Sequence, residues 1–333
     1  MKKILIIGGS GYIGQVLSHY FLKKKYKVEV IDNLIYDQNN IALNLHNNIN
    51  FSYQFLDMKN IFKSKSSDLY DSIIILAGLV GDPITKKYPQ QSKIINEKYI
   101  QSIIKKIIKY EISNKTIFVS TCSNYGLNEN KILDEESELK PLSLYAKSKV
   151  KIEKFIINNF GEKNFSPTIL RFATAFGVSP RMRFDLTLNE FTKELYFGNK
   201  LSVYDPETWR PYCHVLDFAQ AIDLVINSKK NITTNQIYNV GSDKNNHTKK
   251  DIIDTISKYI PNPKVRYVNK SIDKRNYRVN FAKIKKELHF NSKYSIDYGI
   301  REIIESLEKN YFKFDISNQY GNYQIKAFEK KNL

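Results

Sequence analysis

The apolar run Ile4-Leu5-Ile6-Ile7 ends in Gly8-Gly9-Ser10-Gly11-Tyr12-Ile13-Gly14, and the next apolar run, Lys27-Val28-Glu29-Val30-Ile31, ends on the acidic Asp32. Nothing else in the chain constrains the fold as strongly. A buried parallel strand must hand over to a helix in a tight turn. Gly8 and Gly11 let the backbone turn there and approach a bound group, and Gly14 lets helix and strand pack closely. The helix predicted from Tyr12 to about Lys24 presents free N–H groups and its positive dipole end to that turn, where a pyrophosphate can sit. Asp32, about 20 residues on, is placed to accept hydrogen bonds from ribose hydroxyls. Turn, helix and acid together predict a dinucleotide-binding unit.

Further apolar runs at Phe51 to Phe55, Ser72 to Leu76, Thr116 to Ser120 and Thr168 to Leu170 alternate with helical patterns near 90–111 and 143–160. Such βαβ units predict an α/β Rossmann architecture, a doubly wound parallel sheet with helices on both faces. In Ile94, Ile95, Tyr99, Ile103, Ile104 and Ile107 the apolar residues recur at helical spacing, a stripe expected to face the core. After Arg171 the pattern loosens, with helices expected near 185–197 and 216–227, an apolar run from Gln236 to Val240, and short elements including Asp251 to Ile260 and Ile296 to Leu307. The expected organisation is therefore a dinucleotide-binding domain from residues 1–172 plus about 212–242. A smaller α/β lobe comes from about 173–211 plus 243–310, and 311–333 form a loosely docked tail.

A net charge of +18, from 52 Lys and Arg against 34 Asp and Glu, raises the question of nucleic-acid binding. The lysines are scattered through nearly every segment and gather into no stripe, so a solvated surface is expected and no nucleic-acid partner. A field of that sign also favours a small polyanionic substrate. Cys122 and Cys213 are too few for a disulfide framework or a thiolate metal site, and no metal is expected. With no apolar run of about 18 residues and no signal or lipidation motif, a cytoplasmic protein without a membrane partner is expected.

Tyr145 and Lys149 stand at i and i+4 on one helical face. A free phenol has a pKa near ~10, too high for a base at neutral pH, and a fixed cation close by favours the phenolate. The same spacing recurs at Tyr20/Lys24 and Tyr196/Lys200, so context must choose. Tyr145 follows the strand ending at Ser120-Thr121, and ligands of doubly wound sheets bind beyond the carboxyl ends of the strands, where those hydroxyls would face an alcohol or carbonyl oxygen.

Gly8-x-x-Gly11-x-x-Gly14, Asp32-Asn33-Leu34, Leu56-Asp57-Met58, Leu76-Ala77-Gly78-Leu79, Ser120-Thr121-x-x-x-Tyr125-Gly126, Tyr145-x-x-x-Lys149 and Arg210-x-Tyr212-x-His214-Val215-x-Asp217 occur in this order. The ordered set, over roughly residues 1–310, resembles the extended short-chain dehydrogenase/reductase family, in particular its nucleotide-sugar epimerases and dehydratases. That resemblance implies NAD as cofactor, a nucleotide-diphosphate sugar as substrate and a homodimer. It assigns Thr121, Tyr145 and Lys149 as catalytic residues, with Lys149 also holding the nicotinamide ribose and depressing the Tyr145 pKa. Gly8, Gly11, Tyr12, Ile13, Gly14, Asp32, Asn33, Asp57, Met58, Leu76, Ala77, Gly78 and Asn96 would line the coenzyme. Arg210 and Arg275 would clamp the substrate diphosphate, guanidinium groups suiting bidentate contact.

Departures from the family pattern refine the expectation. The 4,6-dehydratases carry an acidic residue just after the catalytic Thr; here Cys122 and Ser123 follow Thr121, which argues against that reaction. Thr174 stands where the family's asparagine is usual. Val178-Ser179-Pro180-Arg181-Met182-Arg183-Phe184-Asp185-Leu186 resembles a subgroup that includes GDP-heptose 4-dehydrogenases, and Arg181, Arg183 and, in the following helix, Asn189 are expected to touch substrate. Oxidoreduction at C4 of the sugar follows, as a 4-epimerase if the keto intermediate is retained and turned. A 4-dehydrogenase or 4-ketoreductase results if it is released, and a coenzyme-binding sensor is the non-enzymatic alternative.

Overall fold

Residues 3–7 alternate nothing: every side chain from Ile4 to Ile7 is apolar and fully buried, as befits a strand covered on both faces. The computed structural model describes residues 1–36, 41–62, 69–269, 275–312, 320–323, 325 and 328. In it this strand, β1 (Lys3–Ile7), lies inside a seven-stranded, all-parallel sheet. Its companions are β2 (Lys27–Asp32), β3 (Phe51–Phe55), β4 (Ser72–Ile75), β5 (Thr116–Thr121), β7 (Pro167–Phe172) and β11 (Gln236–Val240), with β6 (Leu127–Leu133) and the strands between β7 and β11 lying outside it. The spatial order β11-β7-β5-β4-β1-β2-β3 reverses between β1 and β4. The chain winds outward one way through β2 and β3 and the other way through β5 and β7, leaving a crevice at the carboxyl ends where a ligand can enter.

Helices cover both faces. The helix α1 (Tyr12–Lys23) packs on one side with Leu17 and Phe21 buried in the same core as Ile4 and Ile6. On the other side α2 (Ile100–Tyr110) buries Ile100, Ile103, Ile104, Ile107 and Ile108 against Leu5 and Ile7, so the second half of the expected stripe is core, whereas Ile94 is exposed and Ile94, Ile95 and Tyr99 border the cleft described below. The helix expected over 90–111 is not continuous. Pro89–Lys93 is α-helical, Ile94–Tyr99 is a π-helical turn, and α2 follows. The helix α3 (Leu144–Asn158) begins where expected, its first turn capped by Ser143 Oγ, which accepts from the Ala146 N–H at 3.2 Å.

Beyond β7 the chain enters smaller structures. The strands β8 (Thr174–Phe176), β10 (Trp209–His214) and β12 (Asn246–Thr248) form one sheet, β9 (Leu201–Tyr204) pairs with β13 (Val265–Val268), and β14 (Asn276–Val279) pairs with β6. The helices α4 (Thr187–Tyr196), α6 (Lys249–Ile256) and α7 (Ile296–Glu308) share a separate apolar cluster that includes Leu188, Ile252, Ile300 and Ile303. Between these pieces α5 (Val215–Asn227) returns to the large sheet, burying Phe218, Ala221 and Ile222 beside α1, and β11 extends that sheet. No helix among the described residues is long and apolar enough to cross a membrane.

Candidate active site

A cleft of about 1100 Å³ lies at the crevice, lined by residues that follow β1, β2, β4, β5 and β7. Pockets for one drug-sized ligand measure about 300–1,000 Å³, so this one suits a large, extended ligand. On one side lies the glycine turn. Gly8 sits at φ +87°, and a Cβ there would fall 2.6 Å from the Ala77 backbone; a Cβ on Gly14 would fall 2.6 Å from the Gly9 Cα. Both positions exclude any other residue. No side chain caps α1 at Gly11, so the first turn offers its N–H groups to the cleft.

Asp32 ends β2 with both oxygens held, Oδ2 accepting from the Ser10 N–H at 2.9 Å and Oδ1 from the Leu34 N–H at 2.8 Å. Burial raises its carboxyl above the ordinary value, and these two N–H groups oppose the rise. Asn33, Asp57, Met58, Leu76, Ala77 and Gly78 line the same side, with Ile13. Asp57 Oδ1 accepts from the Lys59 N–H at 2.9 Å and so starts the short turn that carries Met58. Uncapped helix, paired glycines and a placed carboxylate are what a dinucleotide requires, and the residues present fit it.

Thr121, at the end of β5, and Tyr145 and Lys149, one turn apart on α3, all line the cleft. Thr121 Oγ1 accepts from the Ser123 N–H at 3.1 Å. The decoy pairs lie elsewhere: Tyr20 and Lys24 both engage Asp223 of α5, and neither they nor Tyr196 and Lys200 line the cleft.

The relation expected between Tyr145 and Lys149 needs correction. Lys149 Nζ donates to the Val119 carbonyl at 2.7 Å and lies 5.8 Å from the centre of the Tyr145 ring. Burial lowers its own pKa to about 8, against the pull of Glu153. Burial also pushes the Tyr145 phenol above its ordinary value, and the cation that chiefly opposes this is Arg183. The sequence pointed to Lys149 because it stands at i+4; the fold brings a second cation in from a segment far along the chain.

That segment is fastened to the glycine turn. Ser179 Oγ donates to the Tyr12 carbonyl at 2.7 Å, and the Tyr12 hydroxyl donates to the Gly177 carbonyl at 2.6 Å. Arg183 forms a two-bond pair with Asp185, Nε to Oδ1 at 2.9 Å and Nη2 to Oδ2 at 2.6 Å. Arg275 pairs with Asp82 at 2.6 Å. Arg210 donates to the Trp209 and Arg275 carbonyls, with its guanidinium 5.2 Å from the Tyr277 ring centre. Arg181, Arg183, Arg210, Arg275 and Thr174 all line the cleft. Asp273 and Lys274, which precede Arg275 in the sequence, lie outside the described residues.

Two expected ligand contacts are structural. Asn189 is fully buried, its side chain accepting from the Gly177 N–H at 3.2 Å and donating to the Tyr12 hydroxyl and the Arg183 carbonyl. It therefore braces the arm that carries Arg183 and does not line the cleft. Asn96, in the π-helical turn, accepts from the Leu79 N–H at 2.7 Å and donates to the Leu79 carbonyl at 2.9 Å. It shapes the Gly78-Leu79 turn from behind.

Sequence reasoning missed a buried network beneath the end of β5. Glu153 and Arg171, 2% and 3% exposed, pair at 2.8 Å, and Glu153 also accepts from Ser120 Oγ and from Asn124 Nδ2. Its signal was present, since Glu153 extends the Tyr145, Lys149 face by one more turn. The chain end was missed without any signal. Although a loosely docked tail was expected, Asn322 is buried, Ile325 is fully buried beside Leu79, Ile84 and Tyr88, and Asn322 and Phe328 line the cleft. The remaining tail residues, 313–319, 324, 326–327 and 329–333, lie outside the described set.

The family model described as NAD dependent epimerase/dehydratase family matches residues 4–241, and the chain belongs to that family of enzymes. It is 24% identical over 264 residues to UDP-glucose 4-epimerase of Bacillus subtilis (strain 168), covering 72% of this chain and 77% of that protein. Its fold matches the UDP-glucuronic acid 4-epimerase from Bacillus cereus, solved with UDP-glucuronic acid and NAD, at a TM-score of 0.81 and 22% identity over 92% of this chain and 99% of that one. It also matches the dTDP-glucose 4,6-dehydratase from Bacillus anthracis, solved with NAD, at a TM-score of 0.80 and 24% identity over 93% and 97%.

Proposed function

We propose that the chain catalyses NAD-dependent oxidoreduction at C4 of a nucleotide-diphosphate sugar, as a 4-epimerase. The observation that carries this reading is the presence of Thr121, Tyr145 and Lys149 in the same cleft as the uncapped α1 turn and Asp32. Bound NAD would supply the two-electron acceptor and donor for the carbon. The first turn of α1 would hold its pyrophosphate, and Asp32 its adenosine ribose.

Tyr145 would exchange the proton of the sugar hydroxyl, taking it as C4 is oxidised and returning it as C4 is reduced. Thr121 would hydrogen-bond the same oxygen. Lys149, anchored on the Val119 carbonyl beneath Tyr145, would keep a second ammonium hydrogen bond for the nicotinamide ribose. Arg183 supplies positive charge that favours the phenolate of Tyr145. Arg210 and Arg275, in contact with one another in the cleft wall, would take the substrate diphosphate.

The carboxylates argue for epimerisation over 4,6-dehydration. Asp185 is clamped by Arg183, Asp82 is paired with Arg275 through Oδ2, Asp32 and Asp57 are committed to backbone N–H groups, and the Cys122 thiol is buried against the Arg171 carbonyl. Cys122 and Ser123 follow Thr121, so no carboxylate stands next to it in the chain for an elimination.

The test is incubation of the purified protein and NAD with UDP- and GDP-hexoses and UDP-uronates, with products followed by NMR. A C4-inverted sugar with the nicotinamide oxidised at the end of the reaction supports the proposal. Stoichiometric reduced nicotinamide with release of a 4-keto sugar would identify a dehydrogenase, and no turnover with any of them would favour the sensor.

A further inference from the structure

Arg181 is 4% exposed and forms no ion pair among the described residues. Its Nη2 donates to Asn322 Oδ1 at 2.8 Å, and its guanidinium lies 4.9 Å from the Tyr36 ring centre. Burial and the neighbouring Arg183 lower its pKa to about 10, with Tyr36, Asp185 and Asp32 opposing. Arg183, two residues on, has Asp185 as its own carboxylate. A buried guanidinium without such a partner, in the wall of an open cleft, is suited to an oxyanion that arrives with the ligand.

Its surroundings indicate which anion. Ser179, two residues before Arg181, bonds to the carbonyl of Tyr12, the first residue of α1. The charge of Arg181 acts on Asp32 at the end of β2, and Tyr36 follows that strand. The Arg210 guanidinium donates to the Arg275 carbonyl, and this pair lies with Asp82, Trp209 and Tyr277. Arg181 instead borders the glycine turn through the Ser179–Tyr12 bond and its charge on Asp32.

Asn322 fixes it there. Besides accepting from Arg181, Asn322 donates through Nδ2 to the Val80 carbonyl at 2.8 Å and through its backbone N–H to Asp185 Oδ2 at 3.2 Å. One residue near the chain end thus ties the loop after β4 to the arm that carries Arg181 and Arg183.

Resting on the reading of the cleft given above, we propose that Arg181 binds the diphosphate of the coenzyme together with the first turn of α1, and that Asn322 is the positioning residue that orients it. Asn322 is then part of the coenzyme site. Calorimetric titration of the full chain with NAD, ADP-ribose, adenosine and UDP tests this. Arg181→Met should weaken NAD and ADP-ribose by about ten- to a hundredfold, the effect of losing a charge-assisted hydrogen bond. Adenosine, which has no diphosphate, and UDP should bind as before. Asn322→Ala, which leaves the guanidinium in place but unheld, should weaken the same two ligands by about three- to tenfold, and Asn322→Asp, which gives Arg181 a carboxylate of its own, should weaken them further while adenosine binds as before. Loss of UDP affinity with NAD unaffected would assign Arg181 to the substrate and overturn the proposal. Unchanged NAD binding in Asn322→Ala would overturn the role of the chain end. A wild-type chain that fails to bind NAD would overturn the reading of the cleft as well.

Discussion

Replacing Glu153 by Gln breaks the ion pair of the network beneath the cleft at constant side-chain volume. The Gln oxygen at the Oε1 position can still accept from Ser120 and Asn124, but its NH2 takes the Oε2 position, so Arg171 loses both the opposing charge and the acceptor of its Nη2. Arg171 donates to Glu153 through Nε, at 3.2 Å to each oxygen, and through Nη2 at 2.8 Å, and although burial disfavours its charge, Glu153 holds it above its ordinary pKa. Breaking one side of a buried ion pair costs about 3–5 kcal/mol, because the other charge stays buried. At about 2.1 cal/mol/K per residue, the 333 residues give an unfolding entropy of roughly 0.7 kcal/mol/K, so the melting temperature should fall by about 4–7 °C. Removing the stranded charge as well, in Glu153→Gln/Arg171→Met, should recover part of that loss. Differential scanning calorimetry of the three proteins decides it. A shift under about 1 °C in the single variant, or a double variant less stable than the single, would refute the ion-pair argument.

Three further outcomes follow from the site. Arg210→Ala should weaken binding of a nucleoside diphosphate by about 2–5 kcal/mol while NAD affinity stays near wild type; equal affinities by calorimetry would remove Arg210 from the substrate side. Asn96→Ala leaves the buried N–H and carbonyl of Leu79 without partners, at about 1–3 kcal/mol each, so urea denaturation should show a loss of about 2–6 kcal/mol together with weaker NAD binding. Lys149, lowered to about 8 when folded and ordinary when unfolded, binds fewer protons in the folded state between about pH 8 and 10.5, so its contribution to stability rises with pH across that window. Lys149→Met should lack that rise, on the order of 3 kcal/mol, and parallel stability curves for the two proteins from pH 7 to 10.5 would contradict it.

What the sequence could show was local. The run from Ile4 to Gly14, the acid at Asp32 and the Tyr145/Lys149 spacing each lie within one βα unit or one helical turn, where period and glycine placement decide the conformation. The resemblance then put these pieces in order. The cation that faces Tyr145 and the asparagine that holds Arg181 come from segments far away in the chain, and no periodicity links residue 145 to 183 or 181 to 322. Asn96, expected at the coenzyme through the resemblance, and Asn189, expected at the substrate, each turn inward to satisfy backbone groups. The short strands β8, β10 and β12 were unreadable for the same reason, since each is a strand only by virtue of a distant partner.

The central claim is that Tyr145 exchanges the proton while C4 is oxidised and reduced, and single-turnover kinetics on the protein loaded with NAD and a competent nucleotide sugar test it most directly. Tyr145→Phe keeps the ring and deletes the only hydroxyl in that role. The transient absorbance of reduced nicotinamide should appear roughly 100-fold more slowly or worse, with NAD still bound and the fold intact. Tyr20→Phe and Tyr196→Phe, whose side chains lie outside the cleft, should match wild type. Near-normal transfer in Tyr145→Phe, or a larger defect in either of the other two, would mean that the chemistry happens elsewhere.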